Sequence, residues 1–221
     1  MTSQFETFLN FNDIESANIV TEKLKENGIE HIIDRSKPLL DTSIVGSSFD
    51  QNFHVKLRRM DFQKGHKALE EYYKTQVDNV SNDYYLMSFS DDELKDIIAK
   101  PDEWGHFNYQ LAQKLLKDKG IEVSERTLNE LKEKRINKLA QPEKASRFLL
   151  ILGYGFIPFG AIIGFLIGRH LFYSKKTLPD GKVVFSYFES DRRHGHRIMI
   201  ICGVFILLAI VFLFVLFARD I

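Results

Sequence analysis

The residues in this chain best suited to chemistry are seven histidines and one cysteine. His194 and His196 flank Gly195, a pairing that can begin a metal site. Only Asp191 lies near them as an acidic neighbour, however, and no cysteine is close, so the ligand set is incomplete. His170, His31, His54, His66 and His106 are scattered, with no partner at catalytic spacing, and read as surface or half-buried positions. Cys202 sits inside an apolar run, which rules out an intrachain disulfide or a cysteine-based metal site. Asp91, Asp92 and Glu93 crowd together, but at a helix start negative charge favours the macrodipole. Gly46 stands alone, so there is no glycine-rich phosphate loop. The expectation is a non-enzyme without metal or cofactor.

One segment is more suggestive. Seventeen residues, Arg35 to Gln51 (RSKPLLDTSIVGSSFDQ), join two short strand patterns. That is long for a compact domain, and long connections tend to carry function. Arg35, Lys37, Ser43, Ser47 and Ser48 there could contact an anion or a protein partner.

The elements around this loop read as an α+β unit. Phe5, Thr7, Leu9 and Phe11 alternate with Glu6, Phe8 and Asn10, the period of a strand. Asn12, with Glu15 three residues on, has capping-box spacing. Ile14, Ala17, Thr21 and Leu24 follow at helical spacing, and Gly28 falls where a left-handed C-cap belongs. Residues 29–34 and 53–58 read as strands, Asp61 as the cap of a second helix, and Tyr84–Met87 as a fourth strand. Strand, helix, strand, strand, helix, strand fits a ferredoxin-like layer of helices on an antiparallel sheet over residues 1–89. Residues 90–146 turn helical and charged. Ser90 with Glu93 repeats the capping-box spacing, Pro101 ends or restarts a helix, and the leucine pattern continues past Gly120 and Ser124. This stretch reads as a linker without a core of its own.

The stretch FETFLNFNDIESANIVTEKLKENGIEHIID, with FHVKLRRMDFQKGHKALEEY after it, resembles a bacterial family of signal-transducing proteins. The matching positions are Ala17, Leu24, Gly28, Ile29 and Val55, with Ser16 where the family usually has Glu. That family is similar in fold to the nitrogen-regulatory PII proteins, which bind nucleotides and small effectors. The resemblance implies an effector-binding role and points to the 35–51 loop as the contact segment, over about the first third of the chain.

The last third, residues 147–221, holds two apolar runs of 21 residues each, Phe148–Gly168 and Ile198–Ala218. At 1.5 Å per residue each extends roughly 30 Å, enough to cross a bilayer. The expectation is a two-helix transmembrane hairpin with spans at 148–168 and 198–218. Gly160, Gly164 and Gly168 repeat every four residues and would let helices approach closely. Met1–Arg147 carries 22 basic against 26 acidic residues and the remainder 8 against 4. A mildly acidic soluble part disfavours nucleic acid as a partner. The first residues, MTSQFETFLNF, have neither basic leader nor apolar core, so no secretory signal is expected. Exporting 147 charged residues is harder than exporting the 29-residue loop 169–197. Both termini are therefore expected in the cytoplasm and the loop outside. The functional expectation is a membrane-anchored signal-transducing or interaction module that binds a protein partner, a second copy or a small effector. The alternative is a structural accessory subunit of a membrane complex.

Overall fold

The computed structural model describes residues 5–35, 53–157 and 161–219. Its chain is 68% helical, with two small sheets. It divides into two units. The first comprises residues 1–139 with 177–182, and the second residues 140–176 with 183–221.

The first unit begins with β1 (Phe5–Phe11), α1 (Ile14–Glu26), β2 (His31–Arg35), β3 (Phe53–Arg58) and α2 (Phe62–Gln76). The strands form one antiparallel sheet in the order β1-β3-β2. Along β3 the side chains alternate: Phe53, Val55 and Leu57 are buried, while Lys56 pairs with Asp34 and Arg58 with Glu30 on the other face. Ala17, Val20 and Leu24 of α1 and Phe62 and Leu69 of α2 close over the buried face. A register shift between Thr7 and Leu9 lets Phe8 join this core. Asp13, not Asn12, caps α1, its carboxylate accepting from the Ser16 amide at 2.7 Å. Gly28 takes the left-handed conformation, with φ of 65°. Asp61 occupies the cap position of α2 but makes no side-chain capping bond.

The fourth strand does not form, which overturns the ferredoxin-like expectation. Tyr85–Ser88 is instead a turn of 3-10 helix. Leu86 is fully buried there among α3 (Asp91–Ala99) and α4 (Pro101–Asp118). Leu94, Ile97, Ile98, Leu111, Ala112 and Leu116 complete a second hydrophobic cluster, so the charged stretch after residue 90 has a core after all. Burying Leu86 in that cluster removes the segment from the sheet edge. The Ser90–Glu93 capping box is present in both directions. Pro101 stands at the first turn of α4, and Ser124 receives the Thr127 amide at the start of α5 (Glu125–Ala140).

In the second unit the first apolar run is not one helix. It breaks into α6 (Arg147–Gly155) and α7 (Ile162–Tyr173). Gly153 and Gly155 weaken the helix end, and Ala161 before α7 is left-handed, with φ of 55°. Helices of 9 and 12 residues extend only about 14 and 18 Å, short of a bilayer's hydrocarbon core. The strands β4 (Lys175–Thr177) and β5 (Val183–Phe185) pair across the Pro179-Asp180-Gly181 turn and lead into α8 (Glu189–Arg219). Among the described residues only α8, over Glu189–Ala218, is long and apolar enough to cross a membrane by length and composition. The two-span hairpin, with both termini on one side and the loop on the other, is thereby overturned. A second fact contradicts it directly. Residues 177–182, from the loop placed outside, pack within the first unit.

Candidate functional site

The first unit contains a cleft of about 300 Å³. Its construction starts at Gly65 on α2. A Cβ there would stand 2.9 Å from both Leu57 and Phe8, so only glycine lets the helix lie this close to the sheet. The next residue, His66, is thereby laid against Phe8, with ring centroids 4.6 Å apart.

The opposite wall comes from α4. Gly105 has φ of 76° and ψ of 166°, a backbone region essentially closed to other residues, and it splits the helix after its first turn. The chain resumes with His106, whose ring meets that of His66 edge to edge, 27° from coplanar and with centroids 5.0 Å apart. His66 Nδ1 and His106 Nε2 are 2.8 Å apart, and His66 Nε2 is 3.0 Å from the Pro179 carbonyl. Because a carbonyl can only accept, His66 carries its proton on Nε2. Its Nδ1 must then accept from His106 Nε2, which leaves His106 Nδ1 bare. That nitrogen has no partner among the described residues and is not sealed in the protein, and His106 is one of the residues lining the cleft. Burial pushes both imidazoles down, His106 to about 3, where the neighbouring His66 and Lys132 add to the effect. A group this weakly basic serves as a hydrogen-bond acceptor far better than as a general base, which works best near the operating pH.

The cations at depth are already satisfied. Lys132 of α5 donates to Glu70 at 2.8 Å and lies 5.1 Å from the Tyr109 ring centroid. Burial lowers its pKa, but the hydrogen bond and charge of Glu70 together with Tyr109 outweigh that and keep the ammonium charged. Arg135 grips Asp102 through two bonds of 2.9 and 2.7 Å and also meets Glu103 at 2.5 Å, which raises its pKa further. Asp180 pairs with Lys182 at 2.8 Å. Lys67 stands at the mouth, exposed. Leu9, Pro101, Ile136 and Pro179 supply apolar wall.

Of the loop residues expected to make contacts, Arg35 alone is described, and it is not among those lining the cleft. Arg35 ends β2 with its guanidinium 5.8 Å from the Phe53 ring centroid, away from the cleft lining. Lys37, Ser43, Ser47 and Ser48 lie outside the described residues. So does Gly160 of the glycine series. Gly164 and Gly168 face α8, where an added Cβ would stand 2.8 Å from Cys202 Sγ and 2.7 Å from the Gly195 carbonyl. The histidines of the H-x-H pair part company: His194 bonds Tyr154 at 3.0 Å, and His196 tilts over Phe172. Among the described residues no group of three or more His, Cys, Asp or Glu side chains could hold a metal. The His66–His106 pair is what sequence reading missed. The two are forty residues apart on different helices, and only the glycine preceding each marks its position.

In comparisons with known proteins, no family model matches this chain, and no curated protein or solved structure does either.

Proposed function

We propose that this chain is a membrane-anchored binding module that takes a small effector in the cleft of its first unit. The observation that carries this reading is the His66–His106 relay, which presents an unpaired acceptor to a preformed, largely apolar cleft. Sites of this kind, apolar with a few fixed polar groups, are the usual form of small-molecule pockets. The effector role implied by the sequence resemblance is kept, but moved from the 35–51 loop to the cleft. The anchor is α8, with α6 and α7 packed against its first half. Leu207, Leu208, Phe212, Phe214 and Phe217 in its second half are all exposed, as lipid-facing residues would be. A thermal-stability screen of the full chain in uncharged detergent, using neutral and charged small molecules, tests the reading. Stabilisation by one chemical class supports it, and indifference to every class refutes it.

A second reading rests on the same bare half of α8. As an accessory subunit, the chain would lay that surface against another membrane protein or a second copy. Co-purification of a fixed partner whose binding is lost on mutation of Phe212 and Phe217 would favour it.

A further inference from the structure

We infer that the cleft selects an uncharged, mainly apolar ligand that donates one hydroxyl or N–H hydrogen bond to His106 Nδ1, and that it is not a phosphate or nucleotide site. The inference deepens the effector reading above and rests on it.

Three observations lead there. The relay has a fixed direction, set by the Pro179 carbonyl, so the group offered to a ligand is an acceptor and not a donor. An anion would bring another acceptor to that lone pair and find no proton to share. The two half-buried cations are unavailable as well. Lys132 is held by Glu70, and Arg135 by Asp102 and Glu103, so recruiting either for an anion would leave a carboxylate unpaired. The N-terminus of α4 offers nothing in exchange, because it opens with Pro101, which has no N–H, and with Asp102 and Glu103. What remains is apolar wall from Leu9, Ile136 and Pro179 around that acceptor, with the exposed Gln63 amide also in the lining. That surface rewards an apolar body bearing one donor and penalises an isostere without it, since the acceptor would lose water and gain nothing. Among the described lining residues Lys67 is the cation without an ion-pair partner, and it is exposed, outside the buried part.

The test uses the full chain in uncharged detergent with phenol, its methyl ether anisole, benzoate and inorganic phosphate as probes. Two signals report binding: fluorescence of the single tryptophan, Trp104, one residue before Gly105, and the 15N resonance of His106 Nδ1. Phenol should move the His106 resonance and bind about tenfold more tightly than anisole, the difference made by one net hydrogen bond. His106→Phe, measured alongside to subtract partition into the micelle, should abolish that preference. Phenol and anisole binding equally in the wild-type protein would overturn the inference without any variant. Benzoate or phosphate binding more tightly than phenol would show an anion site and overturn it too, while leaving a binding cleft in place. Silence from all four probes would remove the cleft-binding reading itself.

Discussion

The carbonyl of Pro179 accepts a hydrogen bond from His66 across 113 residues of sequence, at 3.0 Å. This bond fixes the tautomer of His66 and, through it, that of His106. It also ties the turn between the two apolar runs to the first unit. Gly181 completes the attachment. It has φ of 82° and sits so close to Arg59 that a Cβ would run into the Arg59 carbonyl. One short turn therefore shapes the cleft.

Topology follows from that attachment. On the proposal that α8 is a span, Ser81 and Lys182, both in the first unit, are expected on one side and a cysteine appended after residue 221 on the other. The measurement uses a Cys202→Ser background, with single cysteines at Ser81, at Lys182 or appended after residue 221. A membrane-impermeant thiol reagent is added to sealed vesicles of one orientation. The first two positions should label alike and the third inversely. Labelling at Lys182 opposite to that at Ser81 would break the attachment.

Acid should weaken the first unit well before the carboxylates titrate. Both imidazoles are held below the ordinary 6.5, His106 at about 3. Below pH 6.5 the unfolded chain therefore takes up protons that the folded protein refuses, and stability falls with falling pH. The loss levels off once the folded pKa is passed. It runs at up to about 1.4 kcal/mol per pH unit for each histidine. Urea titrations followed through Trp104 should show this slope between about pH 6.5 and 4.5, above the range in which Asp34, Asp91 and Glu93 lose their own stabilising partners. His106→Gln can still donate to His66 but does not titrate, and it should flatten the slope. An unchanged slope would take the relay out of the account.

Local signals in the sequence identified much of the architecture. Alternation marked β1 and β3, the Ser90–Glu93 spacing marked the start of α3, and Gly28 marked the end of α1, because each is decided by neighbours within a turn or two. What failed depended on partners far away. Tyr84–Met87 has strand-like residues, but Leu86 is worth more buried between α3 and α4 than at a sheet edge. The run 148–168 has the composition of a span, yet its glycines let the helix stop, which an average over 21 residues conceals. His66, His106 and Pro179 converge from three distant segments, and no local spacing encodes that meeting.

Gly105→Ala tests the turn that aims His106. The glycine has open space around it, so no clash arises. The penalty comes from the backbone alone, at φ of 76° and ψ of 166°. A loss of about 1–3 kcal/mol is expected in urea unfolding, with an altered His106 ring environment by NMR. Gly203→Ala, also in open space but on an ordinary helix, should be neutral or slightly stabilising. Equal effects of the two substitutions would mean that the Gly105 conformation is unimportant.

Gly168→Leu tests the seam between α7 and α8. A Cβ at Gly168 would stand 2.7 Å from the Gly195 carbonyl and 3.0 Å from Met199, both on α8. Because backbone is on the far side of the contact, neither helix can yield by turning a side chain, and α7 must move away. Overpacking of this kind costs about 1–3 kcal/mol, and in lipid or detergent close backbone approach is a main source of helix association. Cys202 supplies the readout. It is fully buried on α8, facing Gly164 one turn from Gly168. Displacing α7 should uncover its thiol, so a maleimide reagent should modify Cys202 markedly faster in Gly168→Leu than in the wild type. Gly203→Leu, where an added Cβ meets open space, should leave the rate unchanged. A Cys202 that stays equally protected in Gly168→Leu would show that α7 and α8 do not depend on this close approach.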